Sequence, residues 1–203
     1  KNIVTLSGPS HAEEVIEGHP TTLVSASPNT KAARAVQKLF SNKTLRIYVN
    51  ADIKGVELGG SIKNVIAIAA GIVDGIGYGD NTKAALLTRG LSEISRLGAA
   101  MGGSITTFSG LSGIGDLMVT CFSKYSRNRF IGEKIGKGKS LTEILKEMSM
   151  VAEGVSTAES VYQLSKKYRI EMPISHSVHD ILFKEKDPKT TIHELMSREL
   201  IEE

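Results

Sequence analysis

One charged side chain, Lys63, stands in the stretch GGSIKNVIAIAAG (59–71), at the head of an apolar run that reaches Val73. A lysine so placed either snorkels, with its stem on apolar surface and its ammonium in water, or works in a pocket as a proton donor or acceptor. On a helix Lys63 shares a face with Ile66 and Ala70, and Gly59 and Gly60 lie one turn earlier. Such small neighbours leave room for a ligand or for a closely packed helix.

Two other stretches carry chemistry. In SGLSGIGDLMVTC (109–121) a glycine-rich loop runs into an apolar segment with Asp116 at the junction. A carboxylate entering apolar surroundings needs a partner, which a lysine or arginine of another helix would supply; the local alternative is a plain helix cap. In SKYSRNRF (123–130), Ser126 is a candidate N-cap, which puts Arg127 and Asn128 in the first helical turn. A helix N-terminus offers free N–H groups and a positive dipole end to an anion. An arginine there adds a planar fork suited to phosphate. The plainer account is an ordinary capped helix with a solvated arginine.

Glycine is abundant, so false phosphate loops need excluding. GIGYGD (75–80) looks like a dinucleotide fingerprint but follows a helical run, and the fingerprint requires a strand before it. GKGKS (136–140) hints at a phosphate-binding loop, yet Glu133 stands where that motif needs glycine, so a helix end at Gly136 and a turn are expected. His176 and His179 in HSVH could face one way as metal ligands, but no third ligand accompanies them, and zinc normally takes three or four. A surface pair and no metal are expected.

The elements that must position these residues fall into two kinds. NIVTL (2–6), TTLVSA (21–26) and LRIYV (45–49) read as short strands. Between the last two, NTKAARAVQKLFSN reads as an amphipathic helix with Ala33, Val36, Leu39 and Phe40 on its apolar side. That alternation suggests the end of an α/β sheet. Beyond about residue 51 the strand signals stop. Helices are expected over 54–73, 81–100, 126–135, 141–148, 155–168, 175–184 and 188–199, the last opened by Asp187-Pro188 as N-cap and first residue. The expected fold is mostly α: residues 1–50 end a truncated α/β domain, and 51–203 form an all-helical one.

Composition narrows the function. The 203 residues carry a net charge of +3 from scattered lysines, which argues against a nucleic-acid face. The single cysteine, Cys121, excludes an internal disulfide framework and fits a reducing cytoplasm. The apolar run Val65–Val73 is far short of the roughly 20 residues that span a bilayer. The chain opens on Lys1 directly into a strand-like run, so it is expected to be the C-terminal part of a longer protein.

Several segments together resemble the NAD(P)-dependent glycerol-3-phosphate dehydrogenases of the bacterial kind. They are LSGPSHAEEV (6–15), VELGGSIKNVIAIAAGI (56–72), GDNTKAALLTRGL (79–91), FSGLSGIGDLMVTC (108–121), SRNRFIG (126–132), VAEGVSTA (151–158) and MPI (172–174), in order along nearly the whole chain. The resemblance implies an oxidoreductase of two domains. A Rossmann domain holds NAD or NADP, and a helical domain closes the substrate site. Its reaction interconverts dihydroxyacetone phosphate and sn-glycerol 3-phosphate and so feeds phospholipid synthesis. Residues 1–50 would then end the Rossmann domain, and the chain alone, lacking the glycine fingerprint, is expected to be inactive.

The same resemblance implies roles for single residues. Lys63 matches the catalytic proton donor and acceptor, and Asn64 orients the substrate. Asp116 holds the lysine or a substrate hydroxyl. Ser126, Arg127 and Asn128 bind the phosphate, with Arg127 also near the cofactor. Gly8 and Ser10 line the substrate side and Ala12 the cofactor side; Val151 and Glu153 match cofactor contacts. The implied partner is a phosphorylated triose or glycerol, with no nucleic acid and no membrane span, and a homodimer is left open. Two rivals stand beside this reading. Related hydroxyacid dehydrogenases tend to place an asparagine one turn after the lysine, whereas here Asn64 is adjacent and position 67 is alanine. A helical binding or dimerisation module without chemistry is the other.

Overall fold

In a computed structural model that describes residues 3–148, 152–200 and 202, a small sheet leads into a helical body. Strands β1 (Thr5–Ser7), β2 (Thr21–Ala26) and β3 (Leu45–Asn50) lie in the order β1-β2-β3. β1 runs antiparallel to β2, with Thr5 opposite Ala26. β2 and β3 are parallel, with Thr21 opposite Leu45. Helix α1 (Ala12–Ile16) joins the first two strands. α2 (Thr30–Phe40) makes the crossover that a parallel pair requires. Among the described residues the first strand covers Thr5–Ser7, where 2–6 is expected; Asn2 lies outside them, and the ladder with β2 begins where Thr5 meets Ala26.

α2 does not bury the face its periodicity suggests. Only Ala33 is buried, while Leu39 is 76% and Phe40 48% exposed. The helix is seated through small and polar contacts instead. Ser25 Oγ donates to the Ala33 carbonyl (3.0 Å), and Gln37 Nε2 donates to the Ile47 carbonyl (2.7 Å).

The helical body is built around α3 (Ile53–Ile76). Asp52 caps its start by accepting from Gly55 N–H (2.9 Å). The same carboxylate accepts from Ser104 N–H and Thr107 Oγ, both at 2.8 Å. At the other end Gly77 takes the left-handed conformation (φ 89°) that terminates many helices, so the GIGYGD glycines end a helix. Every residue from Asn64 to Val73 is buried, as expected of a helix that is apolar all round. By length and composition α3 could cross a bilayer, with a mean hydropathy of 1.5 over its most apolar stretch. It is longer than the apolar run alone suggests. Yet 72% of that stretch is buried inside the protein, which is the position of a core helix.

Around α3 pack α4 (Asp80–Ala100), α6 (Asp116–Phe122), α7 (Arg127–Gly136), α9 (Glu153–Tyr168) and α10 (Pro173–Phe183). Short α5 (Ile105–Phe108) and a π-turn (Leu111–Gly115) precede α6. α8 (Leu141–Glu147) and α11 (Pro188–Met196) complete the series. The caps read from the sequence form: Asp187 accepts from Thr190 N–H at 2.7 Å, ahead of Pro188. α10 begins at Pro173, ahead of the expected 175, because Glu93 of α4 caps it. The buried Glu93 carboxylate accepts from Ile174 N–H (2.7 Å) and from Ser175 N–H and Oγ (3.0 and 2.7 Å).

His176 and His179 are not the surface pair expected. His179 is buried, stacked on Tyr162 with ring centroids 4.0 Å apart, and it meets Glu159 and Asp180 at 3.0 and 3.2 Å. His176 Nε2 bonds Ser165 Oγ at 2.6 Å. The flanking Ile174, Val178, Ile181 and Leu182 draw this helix into the core, and the histidines follow it inward. Among the described residues no group of three or more His, Cys, Asp or Glu side chains could hold a metal ion.

Candidate active site

Lys63 sits on α3 where the helix is crossed by the glycine-rich π-turn. The crossing is close because Gly59 has no side chain: a β-carbon there would stand 2.6 Å from the Ser112 carbonyl oxygen. The turn delivers Asp116 as the first residue of α6, beyond the cap position held by Gly115. Its Oδ1 forms an ion pair with Lys63 Nζ, and the two side chains are 7% and 15% exposed. This pairing overturns both local alternatives, the snorkelling lysine and the simple cap. Burial pushes the Asp116 carboxyl above the ordinary range, and the Lys63 ammonium and the Thr120 hydroxyl oppose the rise. Thr120, one turn along, donates to the Asp116 carbonyl at 2.6 Å.

The second half of the site is the N-terminus of α7. Ser126 caps it, accepting from Arg129 N–H at 3.2 Å, and no acidic residue lies in the first turn. α7 is held against α3 backbone to backbone. A β-carbon on Gly71 would lie 2.0 Å from the Arg129 carbonyl oxygen, and one on Gly75 2.3 Å from that of Glu133. Charges lock the same joint, since Asp74 of α3 receives Arg129 Nε at 2.7 Å and Lys83 Nζ of α4 at 2.8 and 2.9 Å. Asn128 then reaches α9, its Oδ1 accepting from Gly154 N–H at 2.9 Å. A β-carbon on Gly154 would meet that Oδ1 at 2.6 Å and the Asn64 carbonyl oxygen at 2.9 Å. Glu153 is thereby placed beside Asn64 and Asn128.

Between these parts lies a cavity of about 160 Å³. Of the residues singled out in the sequence, Lys63, Asn64, Ser126, Arg127, Asn128 and Glu153 line it, and Asp116 joins through Lys63. Gly8, Ser10 and Ala12 are not among its lining residues. They frame the tight segment after β1, where Gly8 has φ 142° and Ser10 Oγ donates to the Gly8 carbonyl at 3.1 Å. Val151 lies outside the described residues. The lining adds His11, Thr120, Tyr125 and Ala152. Thr120 lies one turn beyond Asp116 on α6, a helix absent from the sequence-based expectations, and is missed with it. His11 and Tyr125 carried no periodic signal, since each precedes a helix rather than lying in one.

A cationic lysine held by a carboxylate, and a capped helix N-terminus bearing an arginine, both border one small cavity. Such a cavity suits a small anionic ligand with a reacting oxygen. Comparison with known proteins agrees. The family described as NAD-dependent glycerol-3-phosphate dehydrogenase C-terminus matches residues 52–193, and the corresponding N-terminus matches residues 1–33. A glycerol-3-phosphate dehydrogenase [NAD(P)+] of Salinibacter ruber is 59% identical over 97% of the chain and 58% of its own length. That of Bacillus subtilis is 57% identical over 98% and 57%. The crystal structure of glycerol-3-phosphate dehydrogenase from Coxiella burnetii superposes with a TM-score of 0.93 at 41% identity, covering 96% of this chain and 60% of that one. The chain belongs to the NAD-dependent glycerol-3-phosphate dehydrogenase family. It spans 57–58% of the length of these two curated relatives.

Proposed function

We propose that the protein to which this chain belongs interconverts dihydroxyacetone phosphate and sn-glycerol 3-phosphate with NAD(P)H in the cytoplasm, and that this chain supplies its substrate site. The observation that carries the reading is the Lys63–Asp116 pair at a cavity also lined by Ser126, Arg127 and Asn128. Arg127 and the α7 N-terminus hold the phosphate, which gives binding energy far from the reacting carbon and orients the carbonyl. Asn64 orients the substrate beside the lysine. Lys63 gives its proton to the carbonyl oxygen during reduction and takes the hydroxyl proton in the reverse direction. Asp116 fixes Nζ in place for both. Gly8 and Ser10, given to the substrate side by the family resemblance, act from outside the cavity lining by shaping the segment that carries His11 to its wall. Residues 1–50 serve as the end of the cofactor domain and residues 51–203 as the substrate domain.

At about 160 Å³ the cavity is well below the roughly 300–1,000 Å³ of clefts for larger ligands. It fits a three-carbon phosphate and not a dinucleotide. Arg127 and Glu153 of the lining fit one end of a nicotinamide cofactor, with Ala12 after β1 as a further contact; Val151, expected from the sequence as another, lies outside the described residues. When bound there the cofactor supplies the hydride.

The test is the reduced-nicotinamide absorbance of the full-length protein with dihydroxyacetone phosphate and NADH or NADPH. Loss of absorbance that requires the phosphorylated ketone is expected. No loss with either cofactor refutes the reading. The 203-residue chain assayed beside it is expected to give no turnover, because no glycine fingerprint following a strand occurs in it.

A further inference from the structure

The segment after β1 brings a histidine to the site. His11 occupies the cap position of α1, with φ −59° and ψ 130°, yet its side chain makes no capping bond. The ring turns instead to the cavity wall and leans on Tyr125, centroids 6.0 Å apart and planes at 55°. Its Nε2 is buried and has no hydrogen-bond partner among the described residues, the one such side-chain atom there. His11 and Lys63 line the same cavity, and Asp116 is paired to that lysine.

A buried imidazole nitrogen is costly to leave unpaired, and an apolar ligand cannot answer it. An oxygen can. In the proposed reaction the substrate carries three polar ends. The phosphate goes to the α7 N-terminus, and the carbonyl oxygen goes to Lys63. The terminal hydroxyl is the end without an assigned donor or acceptor. We infer that His11 hydrogen-bonds the terminal hydroxyl of the three-carbon substrate and so selects ketones that carry one. This rests on the dehydrogenase reading above. Lys63 remains the proton donor; His11 recognises and moves no proton to the reacting oxygen.

Selectivity tests this better than activity. The full-length enzyme is assayed with dihydroxyacetone phosphate and with acetol phosphate, the same ketone without the hydroxyl, in wild type, His11→Phe and His11→Gln. A neutral hydrogen bond corresponds to roughly a 3- to 10-fold effect. In His11→Phe the kcat/KM for dihydroxyacetone phosphate is expected to fall by about that factor while acetol phosphate is little affected, so the preference between them shrinks. His11→Gln, which keeps a polar end, is expected to recover part of the preference. A merely structural histidine would lower both substrates together and leave their ratio fixed. A fixed ratio in both variants, with active wild type, overturns the His11 assignment alone. Absence of wild-type turnover overturns the dehydrogenase reading, and the assignment falls with it.

Discussion

Gly132 of α7 lies against the Ile68 carbonyl of α3 so closely that a β-carbon would stand 1.9 Å from that oxygen. Gly71, Gly75 and Gly136 repeat the relation on both helices. A gap of that size cannot be relieved by a side-chain rotation, since the obstacle is backbone. Gly132→Ala would gain about 0.8–1 kcal/mol of helix propensity. Overpacking at a rigid contact costs typically ~1–3 kcal/mol, occasionally more, and forces the backbones apart. Net destabilisation is expected, read as a lower urea midpoint, together with a higher KM for the phosphorylated ketone as the α7 N-terminus shifts. An unchanged midpoint and KM would show that the close approach does not set the position of α7.

The Lys63–Asp116 pair divides two roles that single substitutions can separate. Lys63→Ala removes the proton donor, and a general acid commonly contributes ~10²–10⁴-fold. Its kcat is expected to drop by that order while substrate binding through Arg127 persists. Asp116→Asn keeps the lysine but frees its Nζ, and a misplacement of this kind costs up to about 10²-fold. A smaller loss than for Lys63→Ala is therefore expected in steady-state kinetics. Near-normal kcat in Lys63→Ala would remove it from the chemistry.

Legibility in the sequence followed periodicity. The α3 and α4 spans and the cap residues Ser126 and Asp187 could be read because local pattern and local bonding decide them. The docking of α3 on α7 could not. Gly71, Gly75, Gly132 and Gly136 look like helix-weakening residues until two helices are seen to meet there. Lys63 was ambiguous for the same reason. Whether it snorkels or pairs depends on a turn about fifty residues away in sequence, seated by Gly59. The α2 face and the HSVH pair misled because amphipathic pattern gives an apolar side but not which neighbours cover it.

Glu93 provides a pH signature in stability. Burial raises its carboxyl above the ordinary 4.5, against the opposing bonds from Ile174 and Ser175 and the Arg96 charge. The folded state thus holds the Glu93 proton more tightly than the unfolded state. Between 4.5 and the raised folded value, folded protein binds more protons, so stability falls as pH rises. Glu93→Gln removes this titration and, like the protonated acid, keeps one carbonyl oxygen as an acceptor at the α10 N-terminus. The stability advantage of wild type over the variant is expected to be largest below pH 4.5 and to shrink at higher pH. Urea midpoints of both proteins across that range measure it, and an advantage that grows with pH contradicts the assignment.

Cys121 is the complementary case of a reactive group made inert. It is buried in the core beside α3, and burial pushes its thiol up to about 12, against the pull of nearby Lys83 and Lys63. Since the thiolate is the nucleophile, the native protein should hold almost none of it at neutral pH. A disulfide reagent is expected to titrate no thiol in the folded state and one per chain in denaturant, the sequence having a single cysteine. Labelling then reports opening of the core, and a substrate that stabilises the folded state should slow it. Rapid labelling of native protein would mean that α6 opens locally, which would also break the Asp116 contact with Lys63. Labelling and turnover would then be coupled, and the rate at which Cys121 reacts would set an upper limit on how firmly the proton donor is held.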